Sequence, residues 1–425
     1  MHASASGSPH RWKVLIMTFL AYLYDSLDLQ ILAICMPVII TSLNISLTDA
    51  GLLSSATMIG TALGGILFGW IAENFGRKNA AVISLVEFGV FTLAVYWCNS
   101  WEELMVLRFL QGIGMGGLWG PIVALIADHW APRYRARAAG FMLSTFALGG
   151  ILASVMGRFL LSEVGWRMLF ALTGTAILVG LLFWLVVPAD EKHVAKQEKP
   201  RISLSQLFQP GIAKLTIGAT IAAACQMGGF WGVSAWIPTY LVNVRGLSIE
   251  YMSVFSIVIF AGAFVGYFLF AALADRIGRR NALMLAFLAD SIIVPLYVLI
   301  PDGIFLFWIS PIMGLSFGGV FGLFGSYFAE LFPLHIRAMG SGFAFNIGRG
   351  IGAVVTPVTI GAMAKSHGLG FGIGACSVVF FTGVIVLFFM PETLSAKSSP
   401  NSSPHPVPGD KAAARGGTQA SAAEA

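Results

Sequence analysis

The chain has 425 residues, 57% of them hydrophobic and 11% charged, with a formal net charge of +5. A soluble globular chain carries about 25% charged residues, so this composition excludes a soluble domain and describes an integral membrane protein. The four cysteines show no metal-ligand spacing, which gives neither a disulfide framework nor a metal site, and the positive excess sits in loops, where it gives no case for nucleic acid.

Apolar runs of about 20 residues are long enough to cross a bilayer as helices. Twelve are found: 13–41, 50–72, 80–98, 104–127, 138–161, 167–187, 214–242, 250–274, 282–300, 304–328, 339–364 and 370–390. The first is too long for a cleaved signal peptide, carries internal charges and lacks a small-residue cleavage site after it. It is expected to remain as span 1. In its middle stand Asp25 and Asp28. A carboxylate near the bilayer centre costs on the order of 2.5–3.5 kcal/mol or more, so such residues mark function by default. Three residues apart on a helix, the two share a face and are expected to point together into an aqueous path, as a proton or cation relay requires. Tyr22, one turn earlier, shares that face.

Span 3 carries Glu87 and span 9 carries Asp290, both read as scaffold support. Span 4 reads Arg108-x-x-x-Gly112-x-Gly114-x-Gly116, glycines that let helices approach closely. Arg158, near the end of span 5, is expected to snorkel to the interface. Span 7 contributes Gln226, Phe230, Trp231, Trp236 and Tyr240. Gln226 and Trp231 lie deep enough to touch a ligand, whereas Trp236 and Tyr240 are expected as interfacial anchors. In span 11, Arg349 lies about 15 Å deep at 1.5 Å per residue, level with Asp25. Its planar guanidinium can hold both oxygens of a carboxylate, and Asn346, on the same face, can add a hydrogen bond. A standing ion pair with Asp25 or Asp28 is the alternative for Arg349.

With a cytoplasmic N-terminus, nineteen of the 25 Lys and Arg fall on the cytoplasmic side, and the positive-inside rule then places both termini there. The halves repeat. Gly76-Arg77-Lys78-Asn79 after span 2 returns 202 residues on as Gly278-Arg279-Arg280-Asn281 after span 8. Asp128 and Glu330 share that offset, Pro132 and Pro333 and then Arg137 and Arg337 keep it within two residues, and Pro188 and Pro391 close spans 6 and 12. The organisation expected is a cytoplasmic N-terminus (1–12), a six-helix bundle (13–187), a polar cytoplasmic linker (188–213), a second bundle (214–390) and a disordered cytoplasmic tail (391–425). Two parallel six-helix halves describe a transporter with a site between them.

The loop after span 2, from Gly69 to Lys78, is similar to the signature G-x-x-x-D-R-x-G-R-R/K of the major facilitator superfamily. Glu73 keeps the acid and Asn74 replaces the first arginine. The second copy keeps Asp275, Arg276, Gly278, Arg279 and Arg280, with Ala271 for the leading glycine. The resemblance implies an all-α membrane fold of twelve helices in two pseudo-symmetric bundles. It also implies that Gly69, Glu73, Gly76, Arg77, Lys78, Asp275, Arg276, Gly278, Arg279 and Arg280, with Asp128, Arg137, Glu330 and Arg337, form a cytoplasmic latch. In the family, the position of Arg108 takes part in proton coupling or anion contact. Gly348-Arg349-Gly350-Ile351-Gly352, with Pro357, resembles the aromatic acid:proton symporters, whose first span carries D-G-Y/F-D. Here Asp25-Ser26-Leu27-Asp28 keeps both acids without the glycine, and related sialate and lactate carriers have similar first helices. The absence of a glycine–proline motif in span 5 (Ala147 to Ala153) speaks against a drug/proton antiporter.

The resemblance thus implies proton-coupled symport of a small organic anion, an aromatic carboxylate first, by a bacterial inner-membrane protein working as a monomer. Asp25, Asp28 and Arg108 would couple protons, and Arg349, Asn346, Tyr22, Gln226 and Trp231 would bind substrate. The proton is the coupling ion, and no cofactor or metal is expected. A non-aromatic cargo such as sialate, a dicarboxylate, a monocarboxylate or a sugar acid is the alternative. A transporter-like sensor is more remote, since neither linker nor tail can hold a signalling domain. No catalytic constellation is present.

Overall fold

A computed structural model describes residues 8–188, 204–333 and 336–393. Among them the chain is helical, with no strand. The first half contains α1 (Arg11–Leu43), α2 (Leu47–Phe75), α3 (Arg77–Ala94), α4 (Trp101–His129), α5 (Pro132–Leu143), α6 (Thr145–Thr173) and α7 (Ala176–Val186). The second contains α8 (Ala213–Asn243), α9 (Ile249–Ile277), α10 (Arg279–Leu299), α11 (Gly303–Leu331), α12 (Arg337–His367) and α13 (Leu369–Phe388). By length and apolar content ten stretches qualify as membrane spans. One of these, Arg133–Val186, turns back at Gly165 (φ 78°) and so crosses twice. With α8, the crossings among the described residues number twelve.

Caps set the ends of these helices. Ser46 and Ser100 make capping boxes with Asp49 and Glu103 at the starts of α2 and α4, closing orphan backbone donors. Their counterparts 202 residues on, Ser248 and Asp302, cap α9 and α11. Polar caps lie outside the apolar runs, which is why most helices exceed the stretches read from hydropathy.

The two halves are built on the same small-residue contacts. A Cβ on Gly60 or Gly64 of α2 would strike the backbone oxygen of Phe109 or Ile113 in α4. In return, one on Gly112 or Gly116 would strike the oxygen of Thr57 or Thr61. Gly262 and Gly266 meet Pro311 and Leu315, and Gly314 and Gly318 meet Ile259 and Ala263, in the same way between α9 and α11. Glycine is therefore required at these crossings, where dispersion between close backbones drives helix association in lipid.

Asp290 is fully buried and accepts a hydrogen bond from Ser316 of α11, tying span 9 to span 10. Glu87 lies against Gly114 of α4 at the matching place in the first half.

The halves meet at the end of the bundle opposite the signature loops. There Ser55 donates to the Val354 oxygen at 2.6 Å, and Gly51 lies against the backbone of Pro357. Arg158, expected to snorkel, donates to the backbone oxygen of Glu250 in the first turn of α9 at 3.2 Å, beside a Ser162–Glu250 side-chain bond of 2.9 Å. Its guanidinium joins the halves because the ends of α6 and α9 pack together.

Most of the linker, 189–203, and 394–425 of the tail lie outside the described residues. Of the rest, Leu204–Phe208 form a 3-10 turn whose Leu207 is buried and accepts from Thr216 of α8 at 2.9 Å. The start of the segment read as disordered tail is tied down: Tyr327 donates to the Pro391 oxygen at 2.9 Å, and Thr393 bonds Glu330 at 2.7 Å.

Candidate functional site

The two aspartates of α1 part company. Residues three apart on a helix diverge by about 60° of arc, and here that sends Asp28 into the first half and Asp25 toward the second. Asp28 and Arg108 are fully buried. Arg108 Nη1 donates to Asp28 Oδ2 at 2.7 Å and to Gln111 Oε1 at 2.7 Å, while its Nε donates to Thr57 Oγ1 at 3.1 Å. Gln111 Nε2 also donates to Asp28 Oδ2, and Thr173 Oγ1 donates to Oδ1 at 3.1 Å. The guanidinium carbon lies 5.5 Å from the centre of the Phe170 ring. Arg108 Nη2 has no hydrogen-bond partner, so one donor of a buried cation is left over. Spans 1, 2, 4 and 6 thus converge on one buried ion pair.

Asp25 is 8% exposed, and its Oδ1 has no hydrogen-bond partner. The charges that act on it are those of Arg349, across the interface between halves, and of Asp28. Tyr22 lies within electrostatic reach of both Asp25 and Arg349, and Tyr267 of α9 lies close to Tyr22. The second cluster is therefore Tyr22 and Asp25 from one half with Tyr267 and Arg349 from the other. Asn346 does not join it: its side chain is exposed and its amide donates to the Gly342 oxygen of its own helix at 2.8 Å.

Ala353, one turn beyond Arg349, opens onto a central cavity walled by Met58, Arg108, Trp231, Ser234 and Pro357. Trp231 therefore lines this cavity. Gln226 is fully buried with both amide atoms unpartnered, and it lines none of the cavities described here. Phe230 sits between Phe321 (ring centres 4.8 Å apart), Phe317 (5.4 Å) and Phe146 of the first half (5.9 Å). Trp236 and Tyr240 are not interfacial anchors. They are 1% and 2% exposed and donate to the Pro357 and Val298 oxygens at 2.9 and 3.1 Å. The end of span 7 lies inside the packed bundle, where indole and phenol need protein acceptors.

The signature loops turn at Gly76 (φ 95°) and Gly278 (φ 98°), conformations that side chains with a Cβ rarely adopt. Arg77 pairs with Asp128. Arg279 Nε reaches Glu330 at 2.9 Å and its Nη2 reaches Asp275 at 3.5 Å. These pairs stay inside one half. Lys78 lies 6.0 Å from the Trp184 ring centre, and Arg337 Nε reaches the Phe332 oxygen at 3.5 Å. Gly69, Glu73, Arg137 and Arg276 are exposed. Sequence reasoning missed Glu392, whose carboxylate accepts from the backbone nitrogens of Arg279 (2.9 Å), Arg280 (3.4 Å) and Asn281 (3.2 Å) at the start of α10. An anion at a helix N-terminus is favoured by the orphan donors and the dipole there. Its one sequence signal was an acid directly after the proline that closes span 12. Gln111 was legible as an intramembrane amide one turn from Arg108. Thr57, Thr173 and Tyr267 carried no signal of their own.

Residues 16–357 match the model of the Major Facilitator Superfamily. The cis,cis-muconate transport protein of Acinetobacter baylyi is 30% identical over 396 residues, covering 90% of this chain and 95% of that protein. The probable 4-methylmuconolactone transporter of Cupriavidus pinatubonensis is 30% identical over 403 residues, 91% of this chain and 92% of that one. Among solved structures, the inward-open xylose transporter of E. coli superposes with a TM-score of 0.74 at 18% identity, covering 91% of this chain and 99% of that one. The chain belongs to the Major Facilitator Superfamily, a family of multi-pass membrane transporters, and it is not an enzyme.

Proposed function

We propose that this superfamily member imports a small organic anion together with protons, with an aromatic carboxylate as the leading cargo. The observation that carries the reading is Asp25: a buried carboxylate with an unmet oxygen, within electrostatic reach of Arg349 across the interface between the halves. A group so placed can lose its charge to a proton and release Arg349 to a substrate carboxylate. Asp28 does the corresponding service for Arg108, whose spare Nη2 can donate to a further acceptor. Protonating both aspartates removes two negative charges from a site that must take an anion, which gives coupling its electrostatic logic.

In this reading the signature loops are cytoplasmic, as the positive charges predict, and the protein sits in the bacterial inner membrane. The conformation is then closed on the periplasmic side. Protons and anion load from the periplasm, the halves rock, and both are released inside. The signature loops latch the halves in the opposite, outward-facing state. The two relatives named for muconate and 4-methylmuconolactone support an organic-acid cargo, and the first favours a non-aromatic acid as the second reading. The test is uptake into proteoliposomes with labelled benzoate and labelled muconate, with and without an acid-outside gradient. Uphill accumulation of either acid that collapses with a protonophore is expected; accumulation indifferent to the gradient rejects proton coupling.

A further inference from the structure

Beside the central cavity lies a second of similar size, and the two share Ala33 and Ser234. Its apolar walls are Phe230, Phe260 and Phe317, and its polar lining is Gln30 of α1 with Ser234 of α8 and Ser256 of α9. Both are narrow in this conformation, and the second has room for a substituent of a substrate seated across the two. Gln30 is 1% exposed. Its Oε1 accepts a long bond of 3.4 Å from Ser234 Oγ, and its Nε2 has no partner. Ser256 Oγ donates to the Met252 oxygen at 3.2 Å and keeps its lone pairs.

A buried amide with an unmet donor costs stability that an apolar side chain of the same size would not. In lipid-embedded protein no bulk water offsets that cost. A substrate group that meets this donor has to be small and polar, since the cavity is tight. It must also be uncharged, because the side chains lining the cavity carry no charge. A hydroxyl meets both needs: it accepts from Gln30 Nε2 and donates to Ser256 Oγ. Either orientation of the amide leaves one polar atom unmet, and a hydroxyl can serve as donor or acceptor.

We propose that Gln30, Ser234 and Ser256 form a subsite for an uncharged oxygen substituent, so that the cargo is a hydroxylated organic acid rather than a plain one. The proposal rests on the anion reading above and deepens it: the carboxylate lies toward the arginines, and the hydroxyl enters the side cavity past Ser234. Gln30 is a specificity residue. Because Gln30 and Ser234 belong to opposite halves, a bound hydroxyl also replaces a weak contact between halves with two bonds of its own.

The experiment is binding of benzoate, 3-hydroxybenzoate and 4-hydroxybenzoate to the purified full chain, read by calorimetry. One neutral hydrogen bond corresponds to roughly five- to tenfold in affinity. The wild type should favour at least one hydroxylated acid over benzoate by about that ratio. Gln30→Leu should bring the ratio to near one. Ser234→Ala, a smaller change that leaves the amide unheld, should move it the same way and serves if Gln30→Leu does not fold. If the acids bind wild type but neither hydroxylated acid is favoured over benzoate, or if the preference survives in the variants, the subsite is wrong and the carboxylate reading stands. If none of the three acids binds the wild type, the aromatic-carboxylate reading falls and the subsite with it.

Discussion

Arg108 Nη1 and Asp28 Oδ2 lie 2.7 Å apart with both side chains fully buried, joining span 4 to span 1 inside the first half. Asp25, three residues earlier on the same helix, has an unmet oxygen instead. One helix therefore carries a satisfied carboxylate and an unsatisfied one, and the two should respond differently to substitution.

Removing one partner of a buried pair leaves the other uncompensated, at a cost of about 3–5 kcal/mol. Arg108→Gln and Asp28→Asn should each lower the thermal unfolding temperature of the purified protein. The double variant should recover part of that loss, since the orphaned charge is gone. Additive losses in the double variant would show that the pair carries no coupling energy. Asp25→Asn should leave the unfolding temperature close to wild type.

For transport, Asp25→Asn and Asp28→Asn should each abolish uphill uptake, and at least one should retain counterflow exchange, which need not carry net protons. In wild type, uphill uptake should fall as the outside pH rises, because loading requires protonated aspartates. Normal accumulation by both variants under an acid-outside gradient would end the relay assignment.

The glycine crossings make a matched pair of tests. A methyl at Gly116 would strike the Thr61 backbone oxygen, whereas one at Gly120, one turn on, has open space within 4 Å. Gly116→Ala should destabilise the protein clearly, and Gly120→Ala should change the unfolding temperature little. Equal effects would mean that α2 and α4 are free to move apart.

The crossings, the offset of 202 residues and the twelve spans were legible because close backbone approach and apolar length leave direct marks in sequence. The residue types of the site were legible for the same reason, since an acid or arginine in mid-membrane demands explanation. Their pairing was not. Whether Asp28 meets Arg108 or Arg349 depends on the rotation of α1 against α4 and α12, and single-helix periodicity does not fix that rotation. Trp236 and Tyr240 misled because a span end in lipid and a span end buried inside the bundle share the same composition. Glu392 was lost inside a polar segment, although its neighbour Pro391 belonged to the repeat.

The latch can be probed at its turn. Gly76 has φ 95°, so Gly76→Val forces a strained conformation between spans 2 and 3. Transport should drop while ligand affinity changes much less, both measured on one preparation. Loss of binding with conformational exchange intact would contradict a latch role for this loop.

Arg349 decides whether the cargo is an anion. If its guanidinium holds a substrate carboxylate, Arg349→Lys should weaken binding although the charge survives, because an ammonium cannot reproduce the planar two-point contact. One charge-assisted hydrogen bond is worth roughly 1.5–3 kcal/mol, or about one to two decades in affinity. The amide of the same acid should bind wild type poorly and be nearly indifferent to the substitution. The competing role is a standing partner of Asp25, whose charge it already feels across the interface. In that case Arg349→Lys would disturb coupling or stability and affect acid and amide alike. Measuring both ligands on both proteins gives a cycle whose interaction energy belongs to the carboxylate–guanidinium contact. An interaction energy near zero removes Arg349 from the binding site and leaves it to hold Asp25.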